Sequence, residues 1–321
     1  MSDAKRYTVQ HETRYAYTAP VSQSWQLARL TPRLLPWQRL LAYALEIEPK
    51  ADERRDELDS FGNMVTHFGL HGAHRMLRVR MECVVEVSER RAVDATPAPM
   101  QQQQMQLAGE VAIQSQSQAP TSAPPLAWEA VREVIRREPQ LDDLVPASMS
   151  EPTPLVPLSE GARLYASASF ARGRPWLEAL TELMGRIHDD FEFEPGATTV
   201  ATSVDEVLYQ KRGVCQDFAH LMLACLRGHG LPARYVSGYL LTDPPAGMAR
   251  LMGADASHAW VAAYSPQHGW VEFDPTNNQL ADQRYITLTW GADFADVVPL
   301  RGVIFGGGDQ RMDVEVSVTP S

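Results

Sequence analysis

The feature that most constrains this chain is a stretch rich in glutamine, serine and proline between residues 97 and 125. Residues 101–104 are all glutamine, QSQSQ follows, and APTSAPP closes the stretch. Such a segment has too little apolar surface to offset the entropy of ordering it, so it reads as a flexible linker. The whole chain has 321 residues, more than one compact core of ordinary size holds and suitable for two. The expected division is therefore 1–95, a linker at 96–125, and 126–321.

The two flanks differ in period. Before the linker, Met81, Cys83, Val85 and Val87 share one parity while Glu82 and Glu86 take the other, the pattern of a half-buried strand. Residues 40–47 and 64–70 are further strand candidates, and DSFGNMV at 59–65 reads as a turn with Gly62 and Asn63 as its breaker. After the linker, Trp128, Val131 and Ile135 fall on one helical face. Leu177, Leu180, Met184, Ile187 and Phe191 form a longer stripe behind Pro175, which is tolerated in a first turn. Ser203 with Glu206 has capping-box spacing and opens a helix expected to end near Gly213. Phe218, Met222, Cys225 and Leu226 mark another helix, stopped by Gly230 and Pro232. Strands are expected at 235–240, 259–264, 269–273, 285–290 and 312–318. Helices followed by strands is an α+β order.

Charge excludes some partners. Lys plus Arg number 29 and Asp plus Glu 40, a net charge of −11, which disfavours nucleic acid and anionic membrane surfaces. No run approaches the roughly 18 apolar residues of a membrane span. MSDAKRYTVQ shows no apolar signal-peptide core, so a cytoplasmic location is expected. Three cysteines, Cys83, Cys215 and Cys225, are too few and odd in number for a disulfide framework. No CxxC, HExxH or Asp-rich calcium loop appears, so neither metal nor cofactor is assigned from spacing.

Cys215 stands in RGVCQDFAHLMLACL, two residues after Gly213 and at the start of an amphipathic helix. The positive end of a helix dipole favours thiolate, the nucleophilic form, and first-turn N–H groups are free to donate to an oxyanion. The plain alternative is a small apolar residue beside a core helix. Cys83 on a strand's apolar parity and Cys225 in an apolar helical run read as inert core thiols. A thiol nucleophile needs an imidazole to take its proton and return it to the leaving group. Of nine histidines, His258 opens the strand HAWVAAY, which a second strand ending in a carboxylate follows directly. His220 lies five residues beyond Cys215, about 140° around the helix. His188 and His229 near helix ends, His268 in a turn, and His11, His67, His71 and His74 in the N-terminal part read as structural. Asp274 ends GWVEFD, where it could orient the imidazole or serve as a turn aspartate before Pro275. Asp217 complements the helix dipole and could hold Arg234 or a nearby backbone N–H; it is not assigned to catalysis.

These segments resemble the transglutaminase-like superfamily within the papain-like thiol enzymes. GVCQDFAHLMLACLRGHGLPARYVSGYL, ASHAWVAAY and GWVEFDPTNN occur in the family's order with similar separations. YTVQHETRYAY and DSFGNMVTHFGL resemble the N-terminal β-domain of the bacterial branch, and RYITLTWGADFADVVPLRGVIFGGG its C-terminal segment. The resemblance implies an α+β fold: an N-terminal antiparallel β-domain, then a core whose central helix packs on an antiparallel sheet. It implies nucleophile, base and orienting acid at Cys215, His258 and Asp274. The expected activity is acyl transfer from peptide or amide bonds through a thioester, with hydrolysis first. Transamidation, or a catalytically idle binding module, are the alternatives. The partner expected is a peptide or amide substrate, and the calcium sites of animal cross-linking enzymes are not recognisable.

Strand parity adds a geometric condition. His258 and Asp274 share a face only if their hairpin pairs residues of even index sum. A regular four-residue loop at 265–268 would pair Tyr264 with Gly269, an odd sum, so an odd loop or a bulge is expected, with Gly269 absorbing it.

Overall fold

A computed structural model describes residues 4–90, 124–137, 147–241 and 257–321. The expected linker lies outside the described residues except for its last two positions. The architecture is α+β, with two antiparallel sheets and helices packed on the second.

The first sheet is organised by β1 (Lys5–Ala28), a strand of 24 residues. Its first half alternates, burying Tyr7, Val9, His11 and Thr13. An irregularity between Ala16 and Val21 resets the register, and the second half buries Val21, Ser24, Gln26 and Ala28. The first half pairs with β5 (His74–Val87), which in turn pairs with β2 (Gln38–Glu48). The second half pairs with β4 (Met64–Leu70), beside β3 (Glu53–Leu58). In β5 the expected parity holds: Met81, Cys83, Val85 and Val87 are all buried.

Among the described residues the main helices that follow are α1 (Trp128–Arg137), α2 (Glu160–Ala166), α3 (Trp176–Asp190), α4 (Val204–Gln210) and α5 (Cys215–Gly228). Pro175 caps α3 rather than entering it, and Ser203 with Glu206 forms the expected capping box on α4. A short parallel pair, β6 (Glu192–Phe193) and β7 (Arg212–Gly213), delivers the chain to α5. The second sheet has the order β11-β10-β9-β8-β12, with β8 (Ala233–Leu240), β9 (Ser257–Ser265), β10 (Gly269–Asp274), β11 (Gln279–Leu280) and β12 (Tyr285–Gly291). Every residue of α5 from Asp217 to Arg227 is buried, so this helix is the centre of the second core.

One expected boundary is corrected. The last strands, β13 (Leu300–Gly306) and β14 (Gln310–Pro320), do not stay with 126–321; both pair with β1, β14 along its first half and β13 along its second. Val316 and Val318 join the core of the first sheet, which explains the return. Periodicity marks a strand but not the sheet it joins.

The two parts are tied where a sheet edge needs cover. Among the described residues of the second sheet β12 pairs only with β8, so its outer N–H and C=O groups need other partners. Two side-chain amides meet them. Gln38 accepts from Thr287 N–H at 2.8 Å and donates to Thr287 O at 2.7 Å. Asn63 does the same for Trp290, at 3.0 and 2.8 Å. Asp59 fixes that turn by accepting from the N–H groups of Phe61 and Asn63. The Trp290 ring lies against two guanidinium groups, Arg33 at 3.5 Å and Arg234 at 3.4 Å.

Candidate active site

Cys215 is the first residue of α5 and is only partly buried. The approach to it is fixed by Asp217, which folds back to accept from Val214 N–H at 2.8 Å and Thr198 Oγ1 at 2.6 Å. A Cβ on Gly213 would sit 2.8 Å from that carboxylate, so glycine is required there. Of the two roles open to Asp217, the structure selects the backbone N–H. Arg234 instead packs against Trp270 and Trp290. Burial raises the Asp217 pKa, against the opposing bonds from Thr198 and Val214. Asp217 and Phe218 direct their N–H groups to Val214 O, while those of Cys215 and Gln216 have no partner within the helix.

β9 and β10 meet the parity condition. Gly269 pairs with Ser265 and Trp270 with Tyr264, even sums, across a three-residue loop. Gly269 has φ +62°, the left-handed conformation that such a loop demands of its closing residue. His258 and Asp274 therefore project from the same face. His258 Nε2 lies 2.7 Å from Asp274 Oδ2, and the imidazole lines the same cleft as Cys215. With Nε2 on the aspartate, Nδ1 is the nitrogen left for the thiol.

Asp274 is wholly buried and saturated with donors. Oδ2 accepts from Tyr285 Oη at 2.6 Å and Asn277 Nδ2 at 2.6 Å besides His258, and Oδ1 from the N–H groups of Thr276 and Asn277. Burial would raise its pKa, but His258, Asn277 and Tyr285 together hold it below the usual carboxylate range. Burial pushes His258 down, and Asp274 and then Cys215 reverse this, lifting its pKa to about 10. Trp260 lies beside the imidazole, ring centroids 5.9 Å apart, and its Nε1–H donates to Glu272 at 2.6 Å. Arg90, from the N-terminal part, pairs with that Glu272 and donates to Tyr285 O at 2.8 Å.

The remaining cysteines and most histidines keep structural positions. Burial pushes the thiols of Cys83 and Cys225 up to about 12. His229 Nδ1 caps Cys225 O at 2.9 Å, and buried His220 accepts from Phe294 N–H at 3.3 Å. His11 departs from expectation. It reaches the cleft beside Cys215, with Nδ1 2.9 Å from Tyr239 Oη. Sequence reasoning also missed Tyr285, Asn277 and Trp260. Asn277 had a local signal, three residues beyond Asp274 in the turn; Tyr285 had none. Among the described residues no cluster of His, Cys, Asp or Glu is grouped as a metal centre requires, and no helix is long and apolar enough to cross a membrane.

A central helix bearing a cysteine at its start, packed on an antiparallel sheet and preceded by a β-domain, defines the class: a papain-like α+β core with an N-terminal antiparallel β-domain. The chain belongs to the transglutaminase-like superfamily. Residues 166–275 match the model of that superfamily, and residues 7–86 match the bacterial transglutaminase-like N-terminal region. An uncharacterized protein of Mycobacterium tuberculosis is 39% identical over 330 residues, covering 100% of this chain and 94% of its own. A protein-glutamine gamma-glutamyltransferase of Pseudomonas aeruginosa is 37% identical over 110 residues, covering 32% of this chain and 16% of its own. The fold is similar to the crystal structure of a candidate cysteine protease from Cytophaga hutchinsonii. Its TM-score is 0.71 at 18% identity, covering 99% of this chain and 91% of that one.

Proposed function

We propose that this protein is a thiol-dependent enzyme that cleaves or transfers the acyl group of peptide or amide bonds, with Cys215 as nucleophile, His258 as base and acid, and Asp274 as orienting carboxylate. One observation carries the reading: a helix-start thiol shares its cleft with an imidazole that is hydrogen-bonded to a buried carboxylate. His258 takes the Cys215 proton, and the thiolate adds to the amide carbonyl. The oxyanion lies within reach of the first-turn N–H groups of Cys215 and Gln216. Collapse breaks the C–N bond as His258 passes its proton to the departing amine, leaving a thioester. Water then gives its proton to His258 and attacks the thioester, and the thiolate leaves. Every step uses residues of the chain and water alone.

Hydrolysis is favoured because water needs no second binding site; an amine taking the place of water at the thioester gives transamidation. The test is a screen of peptide amides with mass-spectrometric detection, run with and without a primary amine. Hydrolysed product in wild type, with turnover down at least about 1,000-fold in Cys215→Ala, supports the reading. Adducts that dominate whenever amine is present select transamidation. Product at equal rate in both proteins sinks the mechanism.

A further inference from the structure

We propose that the cleft beside Cys215 and His258 is a subsite for an uncharged, apolar side chain of the substrate, and that its outer wall is built by the N-terminal sheet. The inference rests on the thiol reading above and adds the substrate class.

The cleft has a volume of about 320 Å³, near the lower end of ligand sites, which run from roughly 300 to 1,000 Å³. It suits one residue rather than a long segment. One side belongs to the core: Tyr235 and Ser237 of β8, Ala259 of β9, and Phe294 and Val298 beyond β12. The opposite side is formed by His11, Thr13 and Tyr15 of β1 with Val314 and Met312 of β14, which pair with Thr13 and Tyr15. Side chains two residues apart share a face, so these rungs all point the same way. On this wall His11 and Thr13 are buried, at 1% and 3%, whereas Val314 and Met312 are 46% and 55% exposed. The groove is closed at its inner end and open at its outer one, as a side chain entering from solvent requires.

Charge fixes the class of occupant. Among the described residues lining the cleft there is no Asp, Glu, Lys or Arg. His11 does not supply a cation, because burial holds its pKa down at about 4. Among the described residues a charged side chain entering here loses its hydration and meets no counter-ion outside the mutually neutralising Cys215–His258 pair, whereas an aliphatic or thioether one loses nothing. The net charge of −11 attracts cations at long range, but exposed charges are screened beyond about 8–10 Å. The uncompensated desolvation at contact decides the selectivity. The sheet that closes the cleft is thereby part of the recognition machinery.

The experiment uses iodoacetyl derivatives of leucinamide, aspartamide and lysinamide, with rates at Cys215 measured by peptide mapping and divided by those with glutathione. The expected result is labelling by the leucine reagent at least tenfold faster than by either charged one. In Val314→Lys, and in Met312→Lys at the more exposed position, the leucine preference should shrink and the aspartate reagent should gain at least tenfold relative to it. Circular dichroism establishes that each variant is folded. If Cys215 reacts with plain iodoacetamide but takes all three derivatives equally, the subsite inference fails and the thiol reading stands. If Cys215 reacts with none of the four, both fail.

Discussion

Asp274→Asn is the sharpest perturbation available. The carboxylate receives donors on both oxygens: His258, Asn277 and Tyr285 on Oδ2, and the N–H groups of Thr276 and Asn277 on Oδ1. An asparagine has one acceptor oxygen and one NH2 group. The backbone N–H groups cannot reverse, so the NH2 must take the Oδ2 side. There Tyr285 can rotate and Asn277 can flip, but His258 must become an acceptor at Nε2. Its proton then sits on Nδ1, facing Cys215, and it cannot act as the base. A wrong tautomer of this kind costs about 10,000-fold in kcat with binding little changed. The imidazole's ionisation changes too. The lift of the His258 pKa from 6.5 to about 10 is shared by Asp274 and Cys215, so in Cys215→Ala the Asp274 share alone favours the imidazolium. Without the carboxylate, burial is left pushing the other way. The assay is a proton–nitrogen correlation titration of the His258 ring in Cys215→Ala, where no thiol ionisation interferes. We expect its pKa to lie above 6.5 in that background and to fall by at least about two units when Asp274→Asn is added. Movement of less than half a unit would refute the claim that Asp274 sets the protonation of His258. The same pair carries a pH-dependent stability. His258 binds its proton more tightly folded than unfolded, so its contribution is complete below about pH 6.5 and fades as pH rises toward the folded value. Urea midpoints of Cys215→Ala should decline over that window, and adding Asp274→Asn should flatten the decline.

Other outcomes follow from the same geometry. Cys83→Ala and Cys225→Ala should keep turnover and lose about 1–2 kcal/mol of stability by urea titration, whereas Cys215→Ala should lose turnover without a comparable loss of stability. Asn63→Asp preserves shape but replaces the NH2 group that faces Trp290 O and Asp59 with an acidic oxygen, so it should cost about 3 kcal/mol or more; a loss under 1 kcal/mol would mean that the amide does not cover the β12 edge. A protease site inserted at residues 101–104 and then cut should give two fragments that still co-elute on gel filtration, because β13 and β14 remain paired with β1. Separation without denaturant would contradict that pairing.

Several features were legible before any tertiary contact was known, because each is set by residues close in sequence. The helix behind Gly213 put Cys215 at an N-terminus; the alternation of β5 put Cys83 in the core; the Ser203–Glu206 box started α4. Parity alone required an odd loop or a bulge near Gly269 if His258 and Asp274 were to meet, and the three-residue loop with positive φ supplies the first. Tertiary structure decided what depends on which distant surfaces share a core. Periodicity showed a strand at 312–318 but not its partner, 300 residues away, because any sheet with a matching apolar face satisfies the same pattern. Tyr285 became a donor to Asp274 only when β12 was laid beside β8, and His11 reached the cleft only when β1 was laid against the core. Local sequence determined where the candidate groups Cys215, His258 and Asp274 stand and the geometry that presents them. Packing between distant segments decided which side chains hold the buried carboxylate and which sheet walls the cleft beside Cys215.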